Sequence, residues 1–212
     1  MRASETIRQR LAGSAQTAAP ALLGALLTSE LDGRLVQARI TEVEAYEGEL
    51  DPASHAFRGP TRRNQVMFGP AGHLYVYFVY GMHWCANVVC GPPGTAAAVL
   101  LRAGEVVEGE QHARERTPSS ISAAKLASGP ARLARCLGLT GEHTGLDLLD
   151  PQSPVRIEAL GAPVSHLIGP RVGIAVAVER PWRFWLPDEP SVSPFRPGGR
   201  KRVAGNRQTG QL

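Results

Sequence analysis

The stretch Ile40-Thr-Glu-Val-Glu-Ala-Tyr46 decides how the rest of the chain is read. Together with the residues before it, Val36 to Tyr46 has the content of one extended strand, in which successive side chains alternate between two faces. One face then carries Val36, Ala38 and Ile40, followed by Glu42, Glu44 and Tyr46. The row begins as a core face and continues as two carboxylates and a phenol. Burying a carboxylate without partners is costly, or makes it take up a proton. Two readings follow: the acids line a pocket, or they project into solvent beyond the sheet edge.

A second stretch bears on that choice. Leu74-Tyr-Val-Tyr-Phe-Val-Tyr80 is a strand by its aromatic and β-branched content, and Trp84 to Cys90 is another. Gly81 lies between them, so the pair reads as a protruding hairpin with Tyr80 at or near its tip. An aromatic at an exposed tip has no core to fill, and proteins push such side chains between stacked bases. Upstream, Arg58, Arg62 and Arg63 sit in a loop punctuated by Gly and Pro, with the charge that phosphates attract. An acid pocket, an aromatic wedge and an arginine loop point to an enzyme that acts on a base flipped out of DNA.

The order of the motifs is more specific than any one of them. Glu42-Val-Glu44-Ala-Tyr46, His55, Arg63-Asn64, Met67-Phe68, Leu74-Tyr-Val-Tyr77, Tyr80-Gly81-Met82, Asn87 and Leu100-Leu101-Arg102 occur in sequence. Ser128-Gly129-Pro130, Arg171-Val172-Gly173-Ile174 and Pro181-Trp182-Arg183-Phe184 continue the series. From about Pro20 to Val192 the chain resembles the alkyladenine (methylpurine) DNA glycosylases.

That resemblance implies a DNA repair enzyme that hydrolyses the N-glycosidic bond of alkylated or deaminated purines and leaves an abasic site. Departure of the base builds positive charge on the sugar while water adds to C1′. The reaction therefore wants a carboxylate that activates the water and faces the developing charge. By the resemblance Glu44 is that base, and Arg102 keeps it charged and helps hold the water together with the backbone at Val172. Tyr46, Tyr77 and His55 would recognise the flipped base, Asn87 would crowd the exocyclic amine of normal guanine, and Leu100 would form a wall. Tyr80 would enter the duplex, with Gly81, Met82 and His83 against the same groove. Arg62, Arg63 and the helix start before Arg132 would meet the phosphate backbone. At His83 some family members carry an aromatic, and the segment from Glu47 to Phe57 also varies from the vertebrate pattern, which bears on substrate range. No lysine falls in the core motifs, so a monofunctional enzyme without a lyase step is implied, with no cofactor and no metal.

Two other classes fit parts of the pattern. A lesion-binding protein without catalysis would keep the wedge and the arginines and would not need Glu44 with Arg102. A hydrolase of free nucleosides or glycans would use the paired acids and leave Tyr80, Arg62 and Arg63 without a task.

Composition sets the frame. At 212 residues, with 43% apolar and 20% charged side chains, the chain matches one soluble domain. The net charge is +4, but Arg196 to Leu212 alone holds five basic residues and no acid, so the body is slightly acidic. Global charge thus says little about DNA, and local arginines carry that argument. Cys85, Cys90 and Cys136 form an odd set that suggests a reducing compartment. In a strand His83 and Cys85 share a face that Cys90 does not, which speaks against a metal site.

The expected fold is α+β: one compact domain with a curved, mainly antiparallel sheet, a protruding β-hairpin and flanking helices. A frayed N-terminus over 1–15, a domain over 16–196 and a basic, disordered tail over 197–212 are expected. Within the domain, helices are expected over Ala18 to Leu27 and from Pro130 to Gly138, a surface loop over Glu105 to Ser122, and a strand over Arg171 to Val178. The mixed charges of Arg2, Glu5, Arg8 and Arg10 do not read as a secretory leader, and no segment has the length of a membrane span. The expected partner is duplex DNA bearing damaged purines, met by a monomer without an obligate protein partner in a bacterial cytoplasm.

Overall fold

Gly24, with φ at +80°, turns the chain from its helical start into the sheet. The computed structural model describes residues 3–79, 81–158 and 164–199. Helices α1 (Ala3–Leu11) and α2 (Ala15–Leu22) come first. The frayed end expected over 1–15 is therefore helical from Ala3. The reason is burial: Leu11 and Ala15 are enclosed in the core, and Arg8 reaches across the chain to Asp147 at 2.6 Å. Ser14 caps α2 by accepting the Thr17 N–H. Leu26 and Leu27 do not extend this helix, as periodicity suggested; past Gly24 they begin β1 (Leu26–Leu31).

Asp32 and Gly33, both left-handed, close a tight hairpin into β2 (Arg34–Tyr46). The sheet continues with β3 (Leu74–Val79), β4 (His83–Cys90) and β5 (Ala97–Glu108). After α3 (Glu110–Glu115) and α4 (Pro130–Cys136) come the short strands β6 (Val155–Glu158), β7 (Leu167–Gly169) and β8 (Arg183–Trp185). The order is β3-β4-β5-β2-β1-β6, with every pairing antiparallel, and β8 joins β2 beside β7. This is the expected α+β class with a curved antiparallel sheet, and β3 and β4 form the expected hairpin.

The β2–β5 register is irregular at Gln37/Ala38 and again past Ile40. The first half of β2 pairs with β1 on one side, its second half with β8, and β5 runs along the other side. Between Ile40 and Val43 the β2–β5 register shifts twice, leaving Thr41 on β2 and Arg102 on β5 without direct partners. Such bulges bend a strand and re-aim its side chains. Val36, Ala38 and Ile40 lie in the main core, and after the bulge so do Val43 and Ala45. Glu42, Glu44 and Tyr46 are thereby turned to the opposite face. The single continuous face from Val36 to Tyr46 that alternation suggested does not exist; the bulge breaks it at Thr41.

The main core lies between this sheet and helices α1 to α4, with Leu22, Leu133 and Ala134 from the helices packed on the strands. On the other face of β3, β4 and β5, the loop after β2 contributes Ala56 and Met67 to a smaller cluster with Tyr75, Val89 and Ala98. Two further expectations need correcting. The surface loop expected from Glu105 begins later, because β5 runs to Glu108 and α3 follows. Residues 171–178 form a bent loop rather than a strand; Gly173 and Ala177 are left-handed, and Val176 and Val178 are exposed. Of the expected tail, residues 200–212 lie outside the described residues.

Candidate active site

Cross-strand pairing aligns one row of side chains on the face opposite the main core. Glu44 lies opposite Leu100, Leu100 opposite Asn87, Asn87 opposite Tyr75, and Tyr77 opposite Cys85. The loop after β2 and the loop at 171–174 close over this row and leave a cavity of about 360 Å³. That falls in the range of small-ligand sites, about 300–1,000 Å³. Its walls include Tyr46, His55, Tyr77, His83, Asn87, Leu100, Arg102 and Val172, residues that lie far apart in the chain.

Glu44 lies beneath this cavity and is fully buried. Its Oε1 accepts the Val172 N–H at 2.7 Å, and its Oε2 accepts the Tyr46 hydroxyl at 2.9 Å. Arg102 Nη1 lies 3.4 Å from Oε1. Burial pushes the Glu44 carboxyl above the ordinary carboxylate range, and Arg102, the Val172 amide and Tyr46 only partly oppose it. Of the two readings, projection into solvent is excluded, since both carboxylates are buried, but neither stands in the cavity wall itself: Glu44 lies behind Tyr46, Arg102 and Val172, which do.

The second acid has a different environment. Glu42 is likewise buried, yet its carboxyl is held below the ordinary range: burial works against ionisation, but Arg102 and Arg183 outweigh it. Two neighbouring carboxylates thus have proton affinities pushed in opposite directions, a pattern that separates a chemical group from its support.

The aromatic walls are braced from behind. Arg171 is buried and pairs bidentately with Asp51, with Nη2–Oδ1 at 2.9 Å, while its guanidinium lies 4.6 Å from the Tyr46 ring centroid and 5.1 Å from that of Trp182. One face of Tyr46 is covered in this way. His55 meets Tyr77 edge-on at 4.3 Å, and its Nδ1 lies 3.4 Å from the Tyr75 hydroxyl. Partial burial and the nearby Arg63 charge lower the His55 pKa, so its ring is neutral near pH 7. Asn87 Nδ2 donates to the Tyr75 carbonyl at 3.0 Å, which fixes that side chain as a wall.

The expected DNA-facing residues are more scattered. Gly81 is exposed with φ at +67°, Met82 is 64% exposed, and His83 reaches the cavity rim. Tyr80 lies outside the described residues. Arg62 and Arg63 are exposed, but Arg63 already donates to the Phe78 carbonyl at 2.8 Å and lies 5.6 Å from the Tyr77 ring centroid. Arg132 stands at a second, broader cavity of about 690 Å³ that shares Arg102 and Val172 with the first and is lined also by Lys125, Arg135 and Arg196. Among the described residues no group of His, Cys, Asp and Glu is placed to hold a metal ion, and no helix is long and apolar enough to cross a membrane.

Several members of the site were not anticipated. Arg171 adjoins Val172 in its motif, and that adjacency was the available signal. Asp51, Ser193 and Arg183 as a partner of Glu42 had none, because their contacts join segments more than a hundred residues apart.

A sequence model of the methylpurine-DNA glycosylase family matches residues 9–190. Proteins titled "Putative 3-methyladenine DNA glycosylase" are similar over most of the chain. That of Nocardia farcinica is 52% identical over 187 residues, covering 85% of this chain and 86% of the relative. That of Streptomyces avermitilis is 49% identical over 182 residues, covering 84% and 85%. That of Leifsonia xyli subsp. xyli is 50% identical over 197 residues, covering 89% and 92%.

Proposed function

The chain belongs to the methylpurine-DNA glycosylase family, and from that premise we propose that it excises damaged purines from duplex DNA by hydrolysis of the N-glycosidic bond. The observation that carries the reading is the buried Glu44, pushed up in pKa, held by Val172, Tyr46 and Arg102 under a cavity with aromatic walls.

In this mechanism the flipped base enters the cavity between Tyr46 and Tyr77. Arg171 covers the far face of Tyr46, so its other face is the one offered to the base. Electron-poor alkylated purines are attracted to such aromatic faces. Neutral His55 meets the base edge, while Asn87 and Leu100 limit what fits beside it. Glu44 takes a proton from water, the water oxygen bonds C1′, and the base leaves with the electron pair of the broken C–N bond. Arg102, which lines the cavity and approaches Glu44, links carboxylate and water. The product is an abasic site and a free base. No lysine is among the described walls of this cavity, and Lys125 in the adjoining one donates to the Val192 carbonyl. This supports a monofunctional enzyme. Tyr80 is the proposed wedge, and Arg62, Arg63 and Arg132 the proposed phosphate contacts.

The test is single-turnover base release from duplex DNA carrying one hypoxanthine or 3-methyladenine, for wild type and Glu44→Gln. Wild type should leave an abasic site, and Glu44→Gln should bind the same DNA but lose about 10²–10⁴-fold in rate. If both bind and neither cuts, the protein is a lesion binder. If both cut equally, Glu44 is not the base.

A further inference from the structure

Glu42 is the most heavily hydrogen-bonded carboxylate of the site, yet it does not reach the cavity. Its Oε1 accepts from Arg102 Nε at 2.8 Å, Arg183 Nε at 2.7 Å and the Ser193 hydroxyl at 2.9 Å, and its Oε2 accepts the Ser193 N–H at 2.7 Å. Arg102 is pinned by the same cluster, since its Nη2 donates to the Ser193 hydroxyl at 3.2 Å. Only Nη1 of that guanidinium remains toward Glu44, at 3.4 Å. A charge-assisted bond between arginine and carboxylate is normally about 2.7–2.9 Å and is often bidentate. Arg102 is therefore near enough to stabilise charge on Glu44 but is prevented from closing a pair with it.

We propose that Glu42 is a positioning residue for the reaction: it holds Arg102 back from Glu44, so that Glu44 remains a proton acceptor instead of half of a closed ion pair. This rests on the reading of Glu44 as general base. A carboxylate clasped bidentately by arginine is a poor base, because the bonds that must break on protonation favour the charged form. The other groups that face Glu44 do not duplicate this control. Tyr46 from β2 and the Val172 amide donate to it, Tyr77 and Cys85 from β3 and β4 stay protonated through burial, and Arg171 is bound to Asp51. Arg183, opposite Glu44 in register on β8, is bound to Glu42.

The experiment compares wild type, Glu42→Gln and the milder Ser193→Ala, which removes one bond to Glu42 and one to Arg102. Two readouts are taken: the pH profile of single-turnover hypoxanthine release, and the ¹³C titration of the Glu44 carboxyl, assigned by its absence in Glu44→Gln. Release of Arg102 toward Glu44 should move the acidic limb and the carbon titration together to lower pH in both variants. Glu42→Gln also removes a like charge beside Glu44, so the shift in Ser193→Ala, which keeps that charge, decides whether Arg102 has moved. The plateau rate should fall about 10-fold with DNA affinity retained, and Ser193→Ala should move in the same direction by less. A fall in thermal stability with both readouts unmoved in both variants would reduce Glu42 to a structural anchor. A shift to higher pH would mean that Glu42 holds Arg102 toward Glu44, and would overturn the proposal equally. The carbon titration needs no substrate. A wild type that releases no base would therefore sink the glycosylase reading, while the titration still decided the coupling.

Discussion

Val172 donates its backbone N–H to Glu44 Oε1 at 2.7 Å across a separation of 128 positions in the chain. The loop that carries Val172 is held in place by the residue beside it, since Arg171 is locked to Asp51 and stacked between Tyr46 and Trp182. The amide on the carboxylate and the brace behind the Tyr46 ring are thus two parts of one short segment.

The pH dependence of base release follows from Glu44. Its pKa is raised by burial, and only the ionised form accepts a proton, so the rate should rise with pH through a range above that of ordinary carboxylates. Tyr46 and Tyr77 are pushed upward by burial and stay protonated, so neither should impose a descending limb at moderately alkaline pH. Single-turnover rates measured from about pH 5 to pH 9 check this, and a profile flat down to the acid end would contradict it.

Stability should move against activity at the same residue. A carboxyl whose folded pKa is raised binds its proton more tightly in the folded state than in the unfolded one. Its contribution is fully present below the unfolded value and is lost as pH rises through the folded value. Glu44→Gln, which never ionises, should therefore raise Tm at neutral pH, with the gain over wild type shrinking on acidification. Thermal melts at several pH values measure it, and a pH-independent difference would count against the raised pKa.

Asp51 offers a structural test. Asp51→Ala leaves the Arg171 guanidinium buried without its carboxylate, a change that typically costs about 3–5 kcal/mol. Urea unfolding should show a loss of that order. Base release by the folded fraction should fall as well, because the segment bearing Val172 and the support of Tyr46 loosen together. Full stability in Asp51→Ala would mean that the Arg171 pair is not what holds this loop.

The arginines should separate by salt dependence. Arg62→Ala and Arg132→Ala, if each removes one phosphate contact, should weaken binding to all duplexes alike and reduce the slope of log affinity against log salt by about 1 each. Arg63→Ala should in addition slow base release, since Arg63 bonds the Phe78 carbonyl and lies against Tyr77. Titrations across a salt series with lesion and plain DNA make the comparison. An unchanged slope for Arg62→Ala or Arg132→Ala would remove that residue from the interface.

Much of the site was legible in the chain itself because its chemistry is local. The acid pair with Tyr46 and the aromatic strand before Gly81 each lie within a single strand, where alternation says which residues can share a face, whereas the roles of His55, Asn87, Leu100 and Arg102 came only from the family resemblance. Strands β2, β3 and β4, the β3–β4 hairpin and the helix after Pro130 followed from the same short-range rules, but β1 did not, since Leu26 and Leu27 continue a helical spacing. What alternation could not show was the double bulge between Ile40 and Val43. It keeps both halves of β2 in one core while turning Glu42 and Glu44 to the other face, and a bulge depends on the partner strand rather than on the residues themselves. Nor could the chain order show that Arg102 is divided between two carboxylates, that Asp51 finds Arg171, or that residues 171–178 bend instead of extending. Those outcomes are set by contacts between distant segments, where burial decides which charges must pair and how each carboxylate holds its proton.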